Sequence, residues 1–207
     1  MAIELKFLKT EEDLTGKSKW WGFPDLPEDV DYPELRLEDG YSDPLTFICQ
    51  IRCEDIAPYD TLGLLPKEGM LWFFAALDYF LGDMDAESNP GMGEWRESYF
   101  RVLYSRNIEN LHTHKILYDD GQVAVMPAEK LSFAHCDDYN YNIRLLGQPY
   151  LDEIKEHYPN YVSLLQIDGN DDWNLRFYDC GMLCMLLEEE DLKNCRFQNT
   201  KCYLHSF

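Results

Sequence analysis

Residues 45–51 (Leu-Thr-Phe-Ile-Cys-Gln-Ile) and 70–77 (Met-Leu-Trp-Phe-Phe-Ala-Ala-Leu) are almost unbroken apolar runs. Short runs without helical spacing predict strands buried on both faces, at the centre of a sheet. Phe100 to Tyr104 predicts a further short, aromatic strand. Ile116-Leu-Tyr and Val123-Ala-Val-Met126 flank Asp119-Asp-Gly121, a pattern that predicts a hairpin. Helical signals are fewer. Tyr150 to Tyr158 has apolar residues at 150, 151, 154 and 158, a helical period, and Pro159 ends it. Residues 187–192 read as a loop or a single turn, and a short helix is placed near Ala128 to Phe133. Two polar loops, 25–43 and 83–97, separate the apolar runs.

The pattern repeats. Gly22-Phe-Pro-Asp-Leu matches Gly147-Gln-Pro-Tyr-Leu. Residues 45–51 match Tyr161-Val-Ser-Leu-Leu-Gln-Ile, and Gly69-Met-Leu-Trp-Phe-Phe matches Gly181-Met-Leu-Cys-Met-Leu. The offsets are 125, 116 and 112 residues, in the same order, with the drift absorbed in loops. Three ordered matches predict a duplication. The expected fold is α+β, mainly antiparallel sheet with few short helices. Two repeat-like halves, about 18–80 and 144–207, pack with a strand-rich segment 98–143 as a single domain over 1–207.

Charge narrows the partners. The 207 residues carry 18 Lys+Arg and 39 Asp+Glu, a net charge of −21. Such a surface repels phosphate backbones and anionic bilayers, which excludes nucleic acid and membrane as partners. With 45% apolar and 14% aromatic residues, the chain is nonetheless a core-forming one. The charge is uneven. Residues 1–100 carry −14, and residues 25–43 hold eight acids against one arginine. Charges interrupt the first nine residues, so no export signal is read. The longest apolar candidate for a membrane span, Met70 to Leu81, is broken by Asp78. A cytoplasmic setting and reduced thiols follow for the seven cysteines. Cys49, Cys180, Cys184 and Cys202 sit in apolar strand-like runs and read as core filler. A C-x₃-C zinc pair is disfavoured, because on a strand its thiols lie ~13 Å apart.

Ser18-Lys-Trp-Trp-Gly-Phe-Pro-Asp-Leu-Pro27, Tyr32-Pro33, Pro44 to Ile51 and Leu65-Pro-Lys-Glu-Gly-Met-Leu-Trp-Phe-Phe74 form an ordered set. Leu146-Gly-Gln-Pro149, Leu164-Leu-Gln-Ile167, Asp179-Cys-Gly181 and Asp191 to Phe197 continue it. In these motifs the chain resembles the YwqG-like family of bacterial proteins, a domain of unknown function, over nearly its whole length. It departs at Trp21, where many members have glycine, and at Arg52, where many have asparagine. The resemblance implies a bacterial, cytosolic α+β domain and carries no activity and no catalytic residues.

Several residues could carry chemistry. His112-Thr-His114 places two imidazoles on one strand face, but a metal site needs further ligands. Asp168 to Asp179 is similar to a calcium loop, yet Trp173 occupies the position that needs glycine, so a solvated turn is the reading. His135 and Cys136 point to opposite strand faces, which disfavours a Cys/His nucleophile. Asp119-Asp120, Asp137-Asp138 and Asp171-Asp172 read as turn or surface doublets in so acidic a chain. Gln50 and Gln166 are polar residues at matched places in apolar strands. They either face a shared pocket or bond to loops. Trp20 and Trp21 stand beside the acidic loop and either cover the sheet or form an aromatic binding edge.

The functional expectation is a non-catalytic acidic module for a basic protein partner, such as an immunity-type antagonist of a toxin. Trp20, Trp21, Asp29 and Asp31 are the expected contacts. No metal, cofactor or catalytic residue is assigned. The alternative is a small-molecule binder or hydrolase at the repeat junction near Gln50 and Gln166.

Overall fold

Ala2–Lys9 alternates apolar and charged residues, the period-two pattern of a strand with one buried face. It forms β1 in the computed structural model of the protein, which describes residues 2–37, 40–86, 88–117, 121–138 and 142–206. The first half contributes β2 (Lys19–Trp20), β3 (Asp25–Leu26), β4 (Glu34–Arg36), β5 (Ser42–Pro44), β6 (Thr46–Arg52), the single-turn helix α1 (Cys53–Ile56) and β7 (Met70–Ala75). The middle contributes β8 (Gly93–Glu94), β9 (Phe100–Ser105), β10 (His112–Thr113) and β11 (Glu129–Cys136). The second half contributes β12 (Arg144–Leu145), α2 (Asp152–His157), β13 (Tyr161–Asp168), β14 (Gly181–Glu188), α3 (Glu189–Lys193) and β15 (Lys201–Ser206).

Eleven strands form one antiparallel sheet, curled like a half-barrel, in the order β8-β15-β14-β13-β12-β1-β11-β2-β6-β7-β9. β6, β7, β13 and β14 are buried almost throughout, as the apolar runs require. β1 lies at the middle, with β11 on one side and β12 on the other. Two small hairpin-like sheets, β3 with β10 and β4 with β5, lie within and against the acidic loop.

Four expectations change. Ala128–Phe133 is not helical: Leu131 and Phe133 alternate with polar neighbours, and all eight residues of β11 pair with β1. Among the described residues the 116–126 hairpin shows one bridge, Leu117 with Val123, and a hydrogen bond from the Ala124 N–H to Ile116 O (3.1 Å); its predicted turn acids Asp119 and Asp120 lie outside the described residues. The loops 25–43 and 83–97 contain short strands, although Glu38 and Asp39 also lie outside the described residues. Cys180 is exposed ahead of β14, whereas Cys49, Cys184 and Cys202 are buried. Burial alone pushes the Cys49 thiol well up, and pushes Cys184 up to about 12 against the opposing charge of Arg144.

Several local features recur in both halves. Trp21 and Leu146 both take the left-handed conformation, at φ 56° and 59°, and each is followed by a left-handed glycine. The Trp21 N–H donates to Ile48 O (2.8 Å), and the Leu146 N–H to Leu164 O (3.4 Å). The register of β6 on β7 slips between Phe47 and Cys49, and that of β13 on β14 slips between Ser163 and Leu165. Lys19 faces Gln50 across β2 and β6 as Arg144 faces Gln166 across β12 and β13.

Candidate functional site

Gln50 is committed to the fold. Its Oε1 accepts from the Asp25 N–H (2.8 Å), and its Nε2 donates to Asp25 Oδ2 (2.7 Å) and Lys17 O (3.0 Å). The same Asp25 Oδ2 receives Lys19 Nζ at 2.7 Å, and Thr113 Oγ1 donates to Oδ1 at 2.6 Å. Burial pushes the Asp25 carboxyl up. The hydrogen bonds from Lys19 and Thr113, with the Lys19 charge, outweigh it and hold the carboxyl below its ordinary value. Trp72 Nε1 donates to the Asp25 carbonyl (2.8 Å), so this centre pins β3, β6, β7 and β10 together. Gln166 sits in a different centre: its Oε1 accepts from Arg144 Nη2 at 3.0 Å. Arg144 also donates to the carbonyls of Leu146 (3.1 Å) and Gln148 (2.7 Å). Four strands separate Gln50 from Gln166 in the sheet, and both amides bond to their own surroundings rather than to a common pocket.

The two tryptophans do not make an exposed edge. Trp20 is fully buried and Trp21 is 2% exposed, in a cluster with Phe7 and Trp173 whose ring centroids lie 4.8–5.6 Å apart. Trp20 is thus core, because the sheet curls over it. Trp21, at its left-handed corner, also lines a cleft of about 1040 Å³. That volume is at the upper end for ligand sites, which run to ~1000 Å³.

Three segments build the cleft: the β5–β6 junction, the turn 78–83 that follows β7, and the stretches 116–117 and 123–127. Gly22 brings the last of these close. It takes φ +75°, its N–H donates to Met126 O (3.0 Å), and a Cβ there would stand 2.7 Å from Ala128 Cβ. The 78–83 turn is held from the second half, through Asn174 Nδ2 to Leu81 O (2.9 Å) and the Arg176 N–H to Phe80 O (2.8 Å).

Asp43, Asp78 and Asp83 enter the cleft, and no described lining residue is Lys, Arg or His. Burial raises the Asp43 carboxyl above its ordinary value, and the charges of Asp78 and Asp83 raise it further. Burial also raises Asp78, joined by the charge of Asp83 and opposed by the hydrogen bond from Thr46 Oγ1 (2.8 Å). Tyr32, hydrogen-bonded to Leu45 O (2.7 Å), is raised by burial and by Asp78. The cleft is therefore a concentration of uncompensated negative charge against aromatic and aliphatic walls. The second half provides a contrast. Glu190, 112 residues after Asp78, lines a smaller recess of about 370 Å³ with Glu188 and Glu189. There Arg196 lies 3.3 Å from Glu190, and Lys193 lies 3.5 Å from Glu189. Local cations serve Glu189 and Glu190; among the described residues none pairs with Asp78.

Asp29 and Asp31 are exposed on the chain that leads into Tyr32, so they flank the cleft rather than line it. His112 and His114 do share a face, with ring centroids 4.4 Å apart. Burial and the His112 charge lower His114, and the Asp31 charge opposes them. Among the described residues no group of three or more His, Cys, Asp or Glu is gathered closely enough to hold a metal ion, and no helix is long and apolar enough to cross a membrane. Asp78, Asp83 and Thr46 were not singled out from the sequence as site residues. The available signal was Asp78 itself, an acid at the end of the strongest apolar run.

Fold and site together define a mostly antiparallel β protein with an acidic, aromatic-walled cleft at one side of a single curled sheet. Residues 18–156 and 128–205 match the family described as Domain of unknown function (DUF1963), and the chain belongs to that family. No curated protein matches the chain.

Proposed function

We propose that the protein is a non-catalytic binding module that holds a basic protein partner against its acidic face, in the manner of an immunity protein or antagonist. The observation that carries this reading is the cleft in which Asp43, Asp78 and Asp83 meet without a cation. Charges that repel one another inside a fold are stabilised when a partner supplies the opposite sign, and they also speed encounter with that partner. Exposed Asp29 and Asp31 extend the negative face along residues 25–43. With the resemblance noted above, the setting is bacterial and cytosolic.

The same reading takes the two halves as a duplication. It is supported by the matching left-handed corners, strand irregularities and Lys19/Gln50 and Arg144/Gln166 pairs. After duplication, the second half neutralised its acids locally and the first half kept its own free for a partner. The test is affinity purification from the native cell at low salt. One basic protein should be enriched and should dissociate as salt rises, because exposed charge pairs are screened within ~10 Å at 0.1 M salt. Recovery of no basic protein at low salt overturns the reading.

A further inference from the structure

We propose that the cleft receives one lysine or arginine residue carried on an exposed segment of the partner. Its cationic head lies among Asp43, Asp78 and Asp83, and its stem lies along the apolar wall. This rests on the reading of the acidic face as a partner site and goes further by naming what enters the cleft.

Two features select this group. First, the charge is spread. The carboxylates act on one another, yet no described trio of ligands is close enough to hold a metal ion. A delocalised guanidinium or a hydrated ammonium suits that spacing better than a bare ion. Second, the cleft also has an apolar wall. Ile116, Leu117, Val123 and Met126 line it, and Leu117 and Val123 are left 49% and 56% exposed. A small hydrated cation would gain nothing from that surface, whereas the methylene stem of lysine or arginine buries well along it. The rings of Tyr32, Phe47 and Trp173 add faces on which a cation can rest.

The experiment is calorimetric titration of the full chain at low salt with a capped Gly-Gly-Lys-Gly-Gly peptide, its arginine and norleucine analogues, pentylammonium and calcium. The lysine and arginine peptides should bind, with the norleucine peptide weaker by about tenfold or more, the factor that ~1.4 kcal/mol represents. Asp78→Asn and Asp83→Asn should each weaken the lysine peptide by roughly threefold to tenfold, within the range for one charge-assisted contact. Asp83 is exposed, so its substitution decides the question even where Asp78→Asn perturbs the fold.

Equal binding of the norleucine peptide, or indifference to Asp78→Asn and Asp83→Asn, overturns the proposal. So does calcium binding that displaces the lysine peptide. Pentylammonium binding as tightly as the peptide would make a free amine the ligand and overturns the peptide assignment. A basic partner captured equally by wild type and by Asp78→Asn/Asp83→Asn would sink the cleft assignment and leave the acidic-face reading standing. If neither peptide nor partner binds at low salt, both fail.

Discussion

A charge on Asp78 comes at a cost to the fold. Burial and the charge of Asp83 raise its carboxyl above the ordinary value. A raised acid favours the folded state fully below its unfolded value, and that contribution is lost as pH rises through the folded value. Above the folded value the penalty is complete. Asn at position 78 keeps an acceptor for Thr46 Oγ1 and removes the charge. Asp78→Asn should therefore melt about 2–4 °C higher at pH 7, the shift ~1 kcal/mol produces in a chain of this size. The gap should close below pH ~4, where the wild-type acid is neutral as well. A variant that gains stability while losing partner affinity has the signature of a binding site. Asp25 behaves in the opposite way. Its carboxyl is held low against burial by Lys19 and Thr113, so its stabilisation is present above the ordinary value and lost as pH falls through the folded one. Lys19→Met leaves that carboxylate buried and without its cation. Urea unfolding should report a loss of ~3–5 kcal/mol. A loss under 1 kcal/mol would show that Gln50 and Thr113 suffice. Both acids were visible in the sequence, one as a break in an apolar run and one in the acidic loop. Their opposite roles were not, because each depends on residues at least 30 positions away or on the packing of one lysine.

At the scale of elements, the corner Trp21-Gly22 decides where the cleft lies. The left-handed turn sends the chain from β2 toward residues 126–128, and glycine is needed there for two reasons: φ is +75° and Ala128 is too close for a Cβ. Gly22→Ala should cost at least ~2 kcal/mol, the combined effect of a left-handed side chain and overpacking. Gly16→Ala serves as control. It has φ +66° but open space, so only the conformational part of about 1 kcal/mol applies. Equal costs at the two positions would show that the approach of Ala128 is not tight. Elements with strong period or apolar runs were legible: β6, β7, β9, β13, β14 and α2 fall close to where the pattern placed them. β11 was misread because Ala128 to Phe133 is short enough for a helical turn. Only its eight-residue pairing with β1 makes it a strand, and pairing is not written in the local sequence. The 116–126 segment shows the converse. Its hairpin signal is strong, but residues 116–117 and 123–126 serve as a cleft wall, with one bridge among the described residues.

At the scale of the molecule, the two halves meet through β1. Its eight residues pair with β11 on one edge, and Ile3 and Glu4 pair with β12 on the other. Ile3 and Leu5 are buried in the main core. The family match begins at residue 18, outside this strand, yet the sheet is continuous only because β1 fills its middle. Its alternation Ile-Glu-Leu-Lys-Phe was present in the sequence, but its central place follows from long-range pairing that spacing along the chain does not reveal. Removing residues 2–9 opens two facing strand edges and strips apolar cover from both halves. Open edges pair with other chains, so aggregation competes with folding. The shortened chain should lose its cooperative melt and bind a hydrophobic dye, with peptide binding at the cleft lost as well. The cleft loss is the discriminating part. No residue of β1 lines it, so binding fails through what β1 supports: Phe7 packs on Trp173, which lines the cleft, and the second half holds the 78–83 turn at Asn174 and Arg176. A truncated chain that still melts cooperatively and binds the lysine peptide would place the coupling of the halves in those two contacts rather than in β1.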